Sequence, residues 1–125
     1  MAEAAVALAE MMVNGRGGPR DPGAARTWFE RAAAHGHSGA MFALGALHAG
    51  GHGLPSDGAM AARWFRAAAE RGHGPAQLML ARYLAAGVSG EVDPLEARAW
   101  LERAVAQGIA EAQDDLAVLL APTAQ

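Results

Sequence analysis

The stretch DGAMAARWFRAAAERGHGPA, Asp57–Ala76, decides how this chain folds, because it occurs three times in related form. Moved back 36 residues it becomes DPGAARTWFERAAAHGHSGA, Asp21–Ala40, and moved forward 36 it becomes DPLEARAWLERAVAQGIAEA, Asp93–Ala112. Trp28, Trp64 and Trp100 stay in register without a gap, as do Ala25, Ala61 and Ala97, and Gly36, Gly72 and Gly108. Self-similarity at a period of some tens of residues marks a stacked repeat protein, in which each unit buries its apolar face only against its neighbours.

Each copy of the stretch predicts one helix. Asp21-Pro22 and Asp93-Pro94 place a side-chain acceptor before a proline whose missing N–H costs nothing at the first helical position. Asp57-Gly58 is the same cap without the proline. Ala25, Trp28, Phe29, Ala32 and Ala33 then follow at helical spacing and form one apolar stripe. Gly36, Gly72 and Gly108 end the pattern where a left-handed residue commonly stops a helix. The expected spans are 22–35, 58–71 and 94–107. On the outer face Arg26 and Glu30, Arg66 and Glu70, and Arg98 and Glu102 stand four apart and are expected to form weak, solvated pairs.

A second helix precedes each of these. Ala4, Ala40, Ala76 and Ala112 align, as do Leu8, Leu44, Leu80 and Leu116. Helices are expected to begin near Glu3, Gly39, Pro75 and Glu111 and to end before Gly15, Gly51, Gly87 and Pro122. Ala9, Gly45, Ala81 and Ala117 form a row of small residues that lets two helix backbones approach closely. Gly/Pro turns such as 15–20 and 50–55 join the two helices of a unit. The whole reads as one all-α domain over 1–125, with repeats at about 4–39, 40–75 and 76–111 and a terminal half repeat at 112–122, seven helices in all.

In the second copy Ala40, Leu44, Gly45, Gly51, Gly53, Leu54, Asp57, Ala61, Trp64, Ala68, Ala69, Gly72 and Ala76 stand at spacings that closely resemble the Sel1-like repeat. A tetratricopeptide unit would place its signature Trp in the first helix and use a shorter period, whereas Trp64 lies in the second helix after a long loop. The resemblance implies a right-handed α/α superhelix, a solenoid of helix-turn-helix units of the kind found in bacterial signalling and cell-envelope proteins. Departures are small: His48 and Leu84 stand where the family often has Tyr, and Ser89 replaces the glycine found at Gly17 and Gly53.

Composition removes several function classes. The net charge is only −3 and all ten basic residues are arginines interleaved with acids, so no basic stripe exists to neutralise nucleic-acid phosphates. No apolar run reaches the roughly 20 residues that span a bilayer. The absence of lysine excludes Walker A and Schiff-base chemistry, and the absence of cysteine excludes disulfides and thiolate metal sites. No basic and apolar leader opens the chain at Met1, which implies a cytoplasmic protein, or a periplasmic one if the chain is cut from a longer exported protein. Ser38, Ser56 and Ser89 lie in turns without a motif for an activated nucleophile. His48 and His52 stand four apart, but Gly50 and Gly51 break the helix between them, and a repeat would hold His37 and His73 apart. Asp114 and Asp115 read as the solvated end of a capping helix, since the matching positions Phe42, Ala43, Leu78 and Met79 are apolar.

The expected function is therefore that of a non-catalytic adaptor or scaffold without cofactor or metal. The resemblance implies a partner protein or peptide lying on the concave face lined by the first helix of each repeat. Glu10, Met41, Phe42, Gln77, Arg82 and Tyr83 are the candidate contacts on that face. The alternative is a self-assembling structural module or a piece of a longer array, for which the apolar Met11 and Met12 near one end are the motive.

Overall fold

The structure is a computed structural model, which describes residues 21–50, 55–88, 90 and 92–120. Six helices follow one another: α1 (Pro22–Ala34), α2 (Ser38–Ala49), α3 (Gly58–Glu70), α4 (Gly74–Ala86), α5 (Pro94–Ala106) and α6 (Ala110–Leu120). There is no strand among the described residues. The count is six where the repeat pattern predicts seven; the helix expected from near Glu3 lies outside the described residues, as do Glu10, Met11, Met12 and His52. Each helix packs on the next, so α2 with α3 and α4 with α5 form hairpins that stack through α4 on α3 and α6 on α5.

The sequence series are the working parts of this stack. Asp21, Asp57 and Asp93 each accept, through Oδ1, the backbone N–H three residues on, in every case at 3.0 Å. Each such cap satisfies one of the helix's otherwise unpaired donors and is worth about 1 kcal/mol. The N–H groups of Asp57 and Asp93 also donate back to the carbonyls of His48 and Leu84, at 2.7 and 2.9 Å. These bonds close the long loop of each hairpin at equivalent positions, which is why its length repeats.

The short connection between hairpins is tighter. Gly72 N–H donates to Ala69 O at 3.0 Å and His73 N–H to Ala68 O at 3.1 Å, with Gly72 at φ +88°. The same pair of bonds recurs at Gly36 and His37, and at Gly108 and Ile109, so α1, α3 and α5 all end in a Schellman turn. His73 is at once the last residue of that turn and the N-cap of α4, leaving only Arg71, Gly72 and His73 between the two helices.

Alanine occupies the fully buried helix crossings. Ala25, Ala61, Ala97, Ala40, Ala76 and Ala112 have no exposed surface, and Leu44 and Leu80 join them. The large fillers Phe29, Phe65 and Leu101 occupy one repeat position and are all but fully buried, each contributing about 1.5–3 kcal/mol relative to exposure.

Candidate partner-binding face

Among the described residues the candidate contacts lie on two first helices, Met41 and Phe42 on α2 and Gln77, Arg82 and Tyr83 on α4. Phe42 is half-buried and packs its ring on Phe65 with centroids 5.5 Å apart, and Phe65 meets Tyr83 edge-on at 5.4 Å. Phe42 also packs on the His73 ring at 5.0 Å. The structure thus brings Phe42 and Tyr83 together through Phe65, across the boundary between the second and third repeats. Burial pushes the Tyr83 hydroxyl above its usual pKa.

Met41 and Gln77 do not reach the surface. Met41 is 6% exposed and lies in the core, and Gln77 is 3% exposed. Gln77 Nε2 donates to Ala69 O at 3.2 Å, and its Oε1 accepts from Gln107 Nε2 at 3.0 Å, so the amide ties α3, α4 and the end of α5 together. Helical spacing put both residues on a variable face, but Met41 belongs to the apolar core and Gln77 is enclosed between the ends of α3 and α5.

Arg82 is exposed and reaches to the next first helix, where Nε donates to Asp115 Oδ2 at 2.6 Å and Nη2 to Asp115 Oδ1 at 3.2 Å. Asp115 is therefore a partner of Arg82, and the expected solvated acidic end is reduced to Asp114. The last helix is not uniformly polar either, since Val118 is 77% and Leu120 51% exposed.

Beside this ion pair, between α4 and α6 and floored by α5, lies a groove of about 340 Å³ lined by Ala81, Ala85, Leu101, Val118 and Leu119. Its origin is visible in the repeat. At the preceding boundary the equivalent positions hold Phe65 and Tyr83, whose rings pack on each other. Replaced by Leu101 and Leu119, 36 residues on, the rings no longer fill the space between the helices.

The opposite face carries a polar cluster missed by local reading. Arg66 turns away from Glu70 and binds Glu96 of the next repeat through two bonds, Nη2 to Oε1 at 3.3 Å and a shorter one from Nη1 to Oε2. Trp100 Nε1 donates to the same carboxylate at 3.1 Å. These bonds, Arg66 first and Trp100 second, hold the Glu96 carboxyl below its usual pKa. Of the three expected pairs on one helix, only Arg98 and Glu102 come within ion-pair reach among the described residues, at 3.5 Å. Arg31 and Arg103 instead lie over the Trp28 and Trp100 rings, at 4.8 and 4.7 Å.

The described residues contain no group of three or more His, Asp and Glu side chains arranged to hold a metal ion, and no helix long and apolar enough to cross a membrane.

Comparison with known proteins agrees with this geometry. The sequence model of one family, described as Sel1 repeat, matches residues 2–37, 38–73 and 74–109. A Sel1 repeat protein from Oxalobacter formigenes superposes with a TM-score of 0.88 at 26% identity over 94% of the chain, and 48% of that protein is covered. The protein c5321, a protective antigen present in uropathogenic Escherichia coli strains and displaying an SLR fold, superposes with a TM-score of 0.90 at 30% identity, again over 94% of the chain. The chain spans about half the length of the first and 25% of the second. No curated protein sequence matches it.

Proposed function

Because the chain belongs to the Sel1 repeat family, we propose that it is a protein-protein interaction module whose partner, a peptide or helix, lies across the concave face formed by α2, α4 and α6. Family membership supports the general role, since stacked helical hairpins present extended surfaces and bind through them. The observation that carries the finer reading is the apolar groove between α4 and α6, opened where Leu101 and Leu119 replace the ring pair of the previous boundary. A groove of this kind accepts an apolar side chain of a partner, while the Arg82–Asp115 pair at its rim orients polar groups beside it. Arg82, Tyr83 and Phe42 are the accessible or half-accessible candidates, and Glu10 is the first-repeat counterpart of Arg82. Met41 and Gln77 contribute by holding the helices in place. The module acts as an adaptor, without chemistry of its own.

The test uses peptides selected from a random library on the immobilised protein. The triple variant Ala81→Gly, Leu101→Phe, Leu119→Tyr fills the groove with the arrangement of Gly45, Phe65 and Tyr83 that the chain already accommodates one repeat earlier. Loss of tenfold or more in affinity, with an unchanged helical spectrum, supports the groove as the seat. Undiminished affinity, or equal losses from Arg98→Glu on the opposite face, overturns it.

A second reading, self-association, is favoured by the apolar surface of α6, where Val118 and Leu120 are exposed. Sedimentation over a range of concentrations separates the two: a monomer throughout rejects self-association, and a dimer abolished by Val118→Glu supports it.

A further inference from the structure

The two kinds of helix in this stack are capped by different chemistry. The second helices, α1, α3 and α5, start on the carboxylates of Asp21, Asp57 and Asp93. The first helices α2 and α4 start on imidazoles: His37 Nδ1 accepts the N–H of Ala40 at 3.1 Å, and His73 Nδ1 accepts the N–H of Ala76 at 3.2 Å. A backbone amide can only donate, so each ring must be neutral with its proton on Nε2. We propose that His37 and His73 form a pH-sensitive latch, which holds the starts of α2 and α4 at neutral pH and releases them on mild acidification.

Protonation acts on these helix starts in two ways. It removes the Nδ1 lone pair, leaving the N–H of Ala76 without its partner and that of Ala40 with only the His37 carbonyl, 3.1 Å away, and it places a positive charge at the positive end of a helix dipole. Carboxylate caps keep accepting over the range in which an ordinary imidazole, with a pKa of about 6.5, becomes charged. Mild acid therefore separates the two sets, uncapping the first helices and leaving the second helices capped.

The surroundings of His73 reinforce this. Its ring is half-buried and packs on the neutral ring of Phe42 from α2. The titratable group of the preceding repeat that bears on it is His37, a charge of the same sign once protonated. Arg71, two residues before it at the end of α3, extends its guanidinium over Gly36, beside His37. From the following repeat Gln107 and Ile109, both neutral, abut Gly74. At the end of α1, His35 turns its Nδ1 back to the carbonyl of Arg31, 2.9 Å away. Burial first, and the His37 charge second, lower the His73 pKa. A lowered folded value means that the neutral ring is the form the fold prefers. Its contribution is fully present above the ordinary imidazole pKa and is lost as pH falls through the lower folded value. Ile109 stands at the next equivalent position, and among the described residues no side chain caps α6, so the latch is confined to the starts of α2 and α4.

The experiment compares the wild-type chain with the double variant His37→Asn, His73→Asn, in which a good capping side chain that does not titrate replaces each imidazole. Thermal unfolding is followed by circular dichroism at pH 7.5 and 5.0, and amide exchange at Ala40 and Ala76 is followed by NMR at both pH values, corrected for intrinsic rates. The expected result is a fall in Tm of about 4 °C or more for wild type in acid, at least halved in the variant, and exchange at both amides at least fivefold faster in acid for wild type alone. Parallel pH dependence of the two proteins overturns the proposal. Nitrogen chemical shifts of the wild-type imidazoles need no variant: a proton on Nδ1 at pH 7.5 also overturns it, and a proton on Nε2 supports it.

Discussion

Gly45 lies flat against the ring of Phe65, so closely that a Cβ at position 45 would stand 2.5 Å from Cδ1 and Cε1. Gly45 sits in the small-residue row of α2, and Phe65 is 1% exposed, pinned between Phe42 and Tyr83. The Gly45 backbone is not left-handed, so the requirement for glycine is steric. Gly45→Ala is expected to destabilise the fold by about 1–3 kcal/mol, the usual cost of overpacking, despite the better helix propensity of alanine. Phe65→Leu in the same chain should recover part of that loss, because it removes the clashing ring atoms. Urea unfolding of both single variants and the double variant checks this, and additive losses would contradict it.

Gln77 carries its consequence through stability. Truncation to alanine removes both bonds of a side chain that is 3% exposed and leaves Gln107 without its acceptor. Gln77→Ala should cost about 1–3 kcal/mol of unfolding free energy. Partner affinity measured well below the melting temperature should change less than twofold. A large affinity loss at unchanged stability would instead place the residue in the contact.

The Arg82–Asp115 pair spans two repeats but stands in solvent, with Arg82 45% exposed. A double-mutant cycle of Arg82→Ala and Asp115→Ala should give a coupling energy of less than about 1 kcal/mol, shrinking further as salt is raised. A coupling several times larger would mean that the pair organises the α4–α6 groove.

Glu96 gives the fold a second pH dependence, of opposite chemical origin to the imidazole caps. Its carboxylate is held low by Arg66 and then by Trp100, so the charged form is the one the fold prefers. The resulting stability is present above the usual carboxylate range and is lost as pH falls through the lower folded value. Glu96→Gln should therefore have a lower Tm than wild type near pH 7, and the two should converge toward pH 3. Differential scanning calorimetry across that range checks the sign; a constant difference would contradict the assignment.

Much of this fold is legible without coordinates because its signals are local. An aspartate cap, an apolar stripe at helical spacing and a glycine after the last turn each act within a few residues. They recur at 36, so each reading is made three times. The spans expected for the second helices, from 22, 58 and 94, start where α1, α3 and α5 start, and end one residue later than those helices. The imidazole caps escaped the reading although their signal, a histidine after a C-terminal glycine and three residues before an aligned alanine, was in view at His37 and His73. Histidine there serves as a cap only because the Schellman turn aims its ring at the next helix.

The sequence by itself determined the period, the class of fold, the direction of each helix stripe and the family. Tertiary structure alone decided which neighbour each side chain meets. Arg66 has a carboxylate one helical turn away in Glu70, yet binds Glu96, 30 residues distant, where two bonds and the Trp100 N–H meet on one carboxylate. Met41 on α2 and Gln77 on α4 are expected on one face with Arg82, yet of the three only Arg82 is exposed. The physical reason is common to both cases. Helical periodicity places a residue at an angle around its own axis, whereas burial and pairing depend on what the adjoining repeat presents at that angle, down to whether a ring or a leucine fills the gap.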